Sequence, residues 1–214
     1  MAEPEMNGDS LIALDQELSI VWEDSADTFV PPVRSLQDFI GEIDLQGIDP
    51  HFAPYVFFEN SAYDQMWADA KLDVKREHGG ILTGEVFEDP GGRYYVVVRA
   101  AIAAHNPSAS STHLQFLPES WKPIWDMLYS DPSLRIVGWY HTHPRLGVFL
   151  SGTDLRTQRL YFSAPWQIAI VIDPVSKEIG YFFGSHGKKT PFTRRFSKKA
   201  YAPQQQPSCA EEKG

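Results

Sequence analysis

Apolar residues in this 214-residue chain fall in short blocks, and the period of each block assigns it to a strand or a helix. Tyr55-Val56-Phe57-Phe58 is a continuous apolar run of strand length. Tyr63, Met66, Trp67, Ala70 and Val74 then recur at helical spacing on one face, with Asn60 or Ser61 placed to cap the helix start. That stripe reads as core. The β-rich stretches Glu77 to Phe87 and Arg93 to Ala104 flank Asp89-Pro90-Gly91-Gly92, a turn sequence, and predict a hairpin. Trp121, Ile124, Trp125 and Leu128 form the face of a second helix, capped by Ser120, with Pro123 in its first turn and Asp131-Pro132 as its stop. Ile136-Val137-Gly138-Trp139-Tyr140 predicts a strand running into His141. A third helix is expected from about Gly152 to Tyr161. Residues 167–172 and 179–183 predict two more strands, joined by a turn over 173–177.

Helices alternating with mostly hairpin-linked strands predict an α/β (α+β) fold, with a mixed sheet and helices on its faces. A phosphate-cradling glycine loop of the right spacing is missing, so a doubly wound nucleotide fold is not expected. The folded domain is expected over residues 55–185. Residues 1–54 read as an acidic extension, polar over 1–10 and rich in Pro and Gly over 31–54, where one helix is possible around 35–40. Within it Leu18-Ser19-Ile20-Val21-Trp22 precedes Glu23-Asp24. That cluster fits either a short strand packed on its own domain or an edge strand offered to a partner. Residues 186–214 turn basic and then Pro- and Gln-rich, and read as a tail.

Charge changes the picture little. The formal net charge is −9. Residues 1–33 hold eight acids and no Lys or Arg, whereas Lys188, Lys189, Arg194, Arg195, Lys198, Lys199 and Lys213 sit near the other end. Basic residues do not cluster on the expected fold, so no nucleic-acid partner is expected. No run of 18 apolar residues occurs and the N-terminus lacks signal-peptide features, so no membrane span is read. The single cysteine, Cys209, allows no internal disulfide, and a cytoplasmic location is expected.

The candidate chemistry lies in Gly138-Trp139-Tyr140-His141-Thr142-His143-Pro144 and in Ser151-Gly152-Thr153-Asp154. On a strand, residues two apart face the same way, so His141 and His143 project to one side. At a helix start, Ser151 and Asp154 are neighbours. Two imidazoles and a carboxylate form a ligand set for a catalytic zinc, which keeps a fourth position open. Each half also has a plain structural reading: a His-x-His pair is often structural, and Ser-x-x-Asp is a capping box.

The two halves together resemble one family. His141-x-His143, seven residues, then Ser151-x-x-Asp154 is similar to the signature of the JAMM metalloproteases, also called MPN-plus or JAB-domain proteins. Glu77-His78-Gly79-Gly80-Ile81-Leu82-Thr83-Gly84 resembles the family's upstream strand motif. The likeness runs from about Tyr55 to Gly184. It implies the MPN/JAB (cytidine-deaminase-like) architecture, with a mostly antiparallel curved sheet. It implies one Zn2+ held by His141, His143 and Asp154, with Glu77 as general base and the Ser151 hydroxyl as an oxyanion donor. Glu85 shares strand parity with Glu77, but the motif selects Glu77 and leaves Glu85 a surface role. His78 reads as structural and Thr142 as facing away from the metal, while His105 and His113 border a polar loop and either line the substrate groove or are simply exposed.

The implied activity is hydrolysis of the amide bond after the C-terminus of ubiquitin or a ubiquitin-like protein. That protein, its conjugates and conjugation-pathway enzymes are the implied partners, and loops 105–118 and 144–150 the expected groove. The compact core and missing insertions look more like prokaryotic members of the family. A non-catalytic MPN scaffold and a zinc amidase for a small molecule or cell-wall peptide stay open as alternatives.

Overall fold

In the computed structural model of the protein, residues 29–36, 54–104, 118–190 and 193–196 are described. The apolar cluster at 18–22, residues 105–117 with His105 and His113, and Cys209 lie outside them. Every described element belongs to the unit that begins at Pro31.

The elements, in chain order, are β1 (Tyr55–Glu59), α1 (Asn60–Ala70), β2 (Gly79–Glu88), β3 (Tyr94–Ala104), α2 (Pro118–Ser130), β4 (Arg135–Thr142), α3 (Gly152–Tyr161), β5 (Ile168–Asp173), β6 (Glu178–Phe183), β7 (Lys188–Thr190) and β8 (Thr193–Phe196). Among the described residues the strands form one sheet in the order β7-β6-β5-β4-β2-β3-β1-β8. Four of its seven pairings are antiparallel, so the sheet is mixed, as the alternation of helices and hairpins predicts. β4 and β5 are the parallel pair at its centre, and parallel neighbours need a crossover, which α3 supplies.

The β2–β3 hairpin is set by its turn chemistry. The Asp89 carboxylate accepts the backbone N–H of Gly91 at 2.8 Å and of Arg93 at 2.9 Å. The β5–β6 turn likewise places Lys177 at φ 63°. β2 also runs against β4, pairing Gly79 with His141 and Gly80 with Tyr140. A Cβ on Gly79 would collide with the Tyr140 carbonyl, so only glycine lets the two backbones approach here.

Alternation along β4 divides its side chains between two layers. Trp139 joins Ile81, Ile124, Ala169, Val171, Phe162 and Phe182 in a core under α2 and α3. Tyr140 points the other way and donates its hydroxyl to Asp69 on α1 at 2.8 Å. Residues 137–143 are all buried, as befits a strand covered on both faces. No described helix is long and apolar enough to cross a membrane.

Several local expectations shift. Glu59 occupies the N-cap of α1 with no side-chain cap bond, so neither Asn60 nor Ser61 caps it. The buried face of α1 is Ala62, Met66, Asp69 and Ala70; Tyr63 and Trp67 flank it, and Val74 lies past the helix end. The face is turned because Asp69, whose Oδ2 accepts the Tyr140 hydroxyl, goes inward. α2 begins at Pro118, two residues before Ser120, which puts Pro123 in the second turn. Only Ile124 of its apolar face is fully buried; Trp125 stacks on Trp121 at 6.0 Å and stays 38% exposed. The stretch expected as a tail from residue 186 supplies β7 and β8, and β8 pairs in parallel with β1 at the sheet edge. At the other edge of the hairpin, Val33 bridges Glu88.

Candidate metal centre

β4 delivers the first histidine on the face it shares with Trp139. The second lies one residue beyond the strand, held by its backbone N–H donating to the Ile172 carbonyl at 2.8 Å on β5. α3 starts beside them. Ser151 is its N-cap: the Ser151 hydroxyl oxygen accepts the Asp154 N–H at 3.2 Å, and the Asp154 carboxylate accepts the Ser151 N–H at 2.7 Å. The capping box and the candidate ligand set are therefore the same residues. The cap fixes Asp154 at the helix start, where its carboxylate faces both imidazoles.

His141 Nε2 lies 3.1 Å from His143 Nε2 and 3.3 Å from Asp154 Oδ1; His143 Nε2 lies 3.5 Å from Asp154 Oδ2. Ligands about 2.0–2.2 Å from one tetrahedral ion stand roughly 3.3–3.6 Å apart, from the tetrahedron's edge-to-radius ratio. The two separations to Asp154, made to its two different oxygens, lie in that range and the one between the imidazoles falls just short of it; no other group of three or more His, Cys, Asp or Glu with metal-binding spacing occurs among the described residues. The donor set, two imidazole nitrogens and a carboxylate oxygen, suits zinc.

Glu77 meets this cluster from the third side, with Oε1 3.9 Å from His143 Nε2. It is not on a strand as expected. β2 opens at Gly79, where the close approach to β4 begins, and residues 77 and 78 extend past it. They stay attached because Thr142 N–H donates to the His78 carbonyl at 2.8 Å and His78 N–H donates to Thr142 Oγ1 at 3.1 Å. Thr142 thus holds the Glu77 segment. His78 takes the structural role expected of it, with Nε2 2.8 Å from the Asp69 carbonyl. Glu85 is away from the cluster, but it is not a surface residue: it is mostly buried in an ion pair with Arg99, which also lies 3.6 Å from Glu59.

Burial, opposed by Asp154, pushes the His141 imidazole below its usual value, so it stays neutral and able to bind a cation. Burial alone would raise the Asp154 carboxyl. Hydrogen bonds from His141 and His143, the charge interaction with His141 and the Ser151 side chain outweigh it and hold the group far below the usual carboxylate range.

The rings are held by packing. Trp139 stacks on His141 at 4.5 Å with planes 9° apart, and Phe149 lies 4.8 Å from His143. The Nδ1 atoms of both histidines are buried without a hydrogen-bond partner among the described residues. Two residues that matter here are not evident from motif spacing. Asp173, at the end of β5, accepts backbone N–H groups of Arg145, Gly147, Val175 and Ser176 and so shapes the 144–150 loop. Gln158 is buried on α3 against Trp139. Its i+4 spacing from Asp154 was the one available signal.

Residues 59–164 match the family described as JAB1/Mov34/MPN/PAD-1 ubiquitin protease. The chain is 28% identical over 131 residues to COP9 signalosome complex subunit 5 of Caenorhabditis elegans, covering 59% of this chain and 34% of that one. It is 28% identical over 132 residues to 26S proteasome non-ATPase regulatory subunit 14 of Drosophila melanogaster, covering 60% and 41%. To ubiquitin carboxyl-terminal hydrolase RPN11 of Saccharomyces cerevisiae it is 27% identical over 128 residues, covering 58% and 40%. The chain thus spans well under half the length of these curated relatives. Its fold is similar to a solution structure from the bacterium Desulfitobacterium hafniense, with a TM-score of 0.52, 17% identity, and coverage of 67% of this chain and 96% of that one. A His-His-Asp cluster at the end of a central strand, a mixed sheet with helices on both faces and this sequence match identify residues 59–164 as a domain of the JAB1/Mov34/MPN/PAD-1 family, the JAMM family that the motifs resemble.

Proposed function

We propose that the protein is a zinc-dependent isopeptidase or peptidase that hydrolyses the amide bond after the C-terminus of ubiquitin or a ubiquitin-like protein. One observation carries the reading. Four acid-base and ligand groups from three separate segments converge: His141 and His143 on β4 and its exit, Asp154 on α3, and Glu77 before β2. A purely structural capping box does not call for two buried imidazoles and a second carboxylate beside it. The similarity to a family described as a ubiquitin protease and to the yeast ubiquitin carboxyl-terminal hydrolase supports the substrate class.

In this reading His141, His143 and Asp154 would hold a zinc ion, which would supply Lewis-acid chemistry at the site. Glu77 accepts the proton of the attacking water and passes it to the leaving amine, because an amine anion is too poor a leaving group to depart alone. Ser151 accepts the Asp154 N–H at its oxygen, and its O–H is the donor that would turn to the carbonyl oxygen as charge develops there. Trp139 and Phe149 keep the two imidazoles from turning.

The test is incubation of the purified chain with ubiquitin and ubiquitin-like C-terminal fusions, with and without a zinc chelator. The expected result is cleavage after the terminal glycine. Chelation abolishes it, and Glu77→Gln lowers it at least about 100-fold, the usual worth of general base catalysis, with zinc content unchanged. Chelator-insensitive cleavage, or full turnover by Glu77→Gln, overturns the assignment.

A further inference from the structure

Trp139 and Gln158 are outside the ligand set, yet they join the two elements that carry it. Trp139 precedes His141 by two positions on β4, and Gln158 follows Asp154 by four on α3. Two strand residues advance about 6.6 Å and four helical residues about 6.0 Å. The rises match, so one helix face meets one strand face at two points: Asp154 against His141, and Gln158 against Trp139. The second contact is a hydrogen bond between fully buried groups, with Trp139 Nε1 donating to Gln158 Oε1 at 2.8 Å.

The amide of Gln158 has no freedom to turn away. Its Nε2 donates to the Phe162 carbonyl at 3.0 Å and to the Gln167 carbonyl at 3.1 Å, which directs its oxygen at the indole. The indole is pinned on both sides, stacked on His141 and, at 5.8 Å, on Phe162. A metal-binding histidine is normally oriented by a hydrogen bond from its other ring nitrogen. Nδ1 of His141 has no such partner among the described residues. The stacked indole is what orients the ring instead.

We infer that Gln158, acting through Trp139, is the positioning residue of the metal centre: it sets the register of α3 along β4, and with it the gap between Asp154 and the imidazoles. The inference rests on the reading that His141, His143 and Asp154 bind zinc. It does not depend on the substrate.

Zinc affinity of the full chain, measured by competition with a chromophoric chelator, tests it alongside thermal unfolding. Trp139→Phe keeps a ring to stack and deletes the N–H. Gln158→Met fills the volume and deletes the amide. Each is expected to weaken zinc binding about 10- to 100-fold, the range for lost outer support of a ligand. The double variant is expected to bind no more weakly than the weaker single one, because both remove the same bond. Ile124→Val, a core change on α2, is expected to lower the Tm while zinc affinity stays at the wild-type value. Folded Trp139→Phe and Gln158→Met proteins with wild-type zinc affinity overturn the inference, as does an equal loss in Ile124→Val. Should Gln158→Met fail to fold, Trp139→Phe decides alone. Wild-type protein that binds no zinc removes the metal reading itself, and this inference with it.

Discussion

At the scale of single residues, the cluster keeps charge where a bound cation would need it. His141 is buried, so the imidazolium is disfavoured, while Asp154 stays ionised because donors surround it. Both depressions have the same sign for stability. Between the usual imidazole value of 6.5 and its lower folded value, the unfolded chain takes up a proton at His141 that the folded chain refuses. Stability contributed there is complete above pH 6.5 and is lost as the pH falls. Asp154 adds a second loss below its ordinary value of 3.8. The metal-free protein is therefore expected to unfold at lower urea concentration at pH 5.5 than at pH 7.5, and His141→Gln to shrink that difference. Equal midpoints in the wild-type protein at the two pH values would contradict this account of the burial of His141.

At the scale of elements, the site is a junction. α3 must begin where β4 ends, and the strap before β2 must stay against the same strand end. Thr142 makes the second joint, as acceptor for the His78 N–H and as donor to the His78 carbonyl. Thr142→Val keeps the shape and the backbone donor but leaves the His78 N–H without its acceptor, a change costing about 1–3 kcal/mol. The expected result is that loss in urea denaturation, a lower kcat because Glu77 is no longer held, unchanged zinc content, and recovery of both in Thr142→Ser. A kcat loss that Thr142→Ser fails to recover would point to packing, not to the hydroxyl. Glu85 and Arg99 illustrate the opposite case: residues of the right chemistry that the same hairpin carries away from the junction into an ion pair of their own.

At the scale of the whole molecule, the sheet is closed at one edge by a strand from beyond the region of family likeness. β8 lies in parallel beside β1, and Arg195 on it pairs with Asp64 of α1 at 2.5 Å. Removing it bares β1, whose residues are all buried, as an apolar edge. A chain ended at residue 186 is expected to lose at least about 4 °C in Tm, equivalent to about 1–2 kcal/mol at this size, and to aggregate more readily on heating. A chain ended at residue 196 serves as the comparison. An unchanged Tm in the shorter chain would show that β7 and β8 contribute nothing to stability.

The local code carried the elements and the ligand candidates. Apolar period, turn residues such as Asp89-Pro90-Gly91-Gly92, and the spacing of His141, His143, Ser151 and Asp154 depend only on neighbours in the chain, so they can be read in order. Only the tertiary structure decided the rest, because it turns on which distant surfaces meet. The inward face of α1 followed from Tyr140 reaching Asp69. The position of Glu77 ahead of β2 followed from the glycine contact with β4. The strand at 193–196 carries too little apolar pattern of its own and exists through its partner β1. The pairing of Gln158 with Trp139 needs a helix and a strand laid side by side, a relation between two periods that neither segment contains alone.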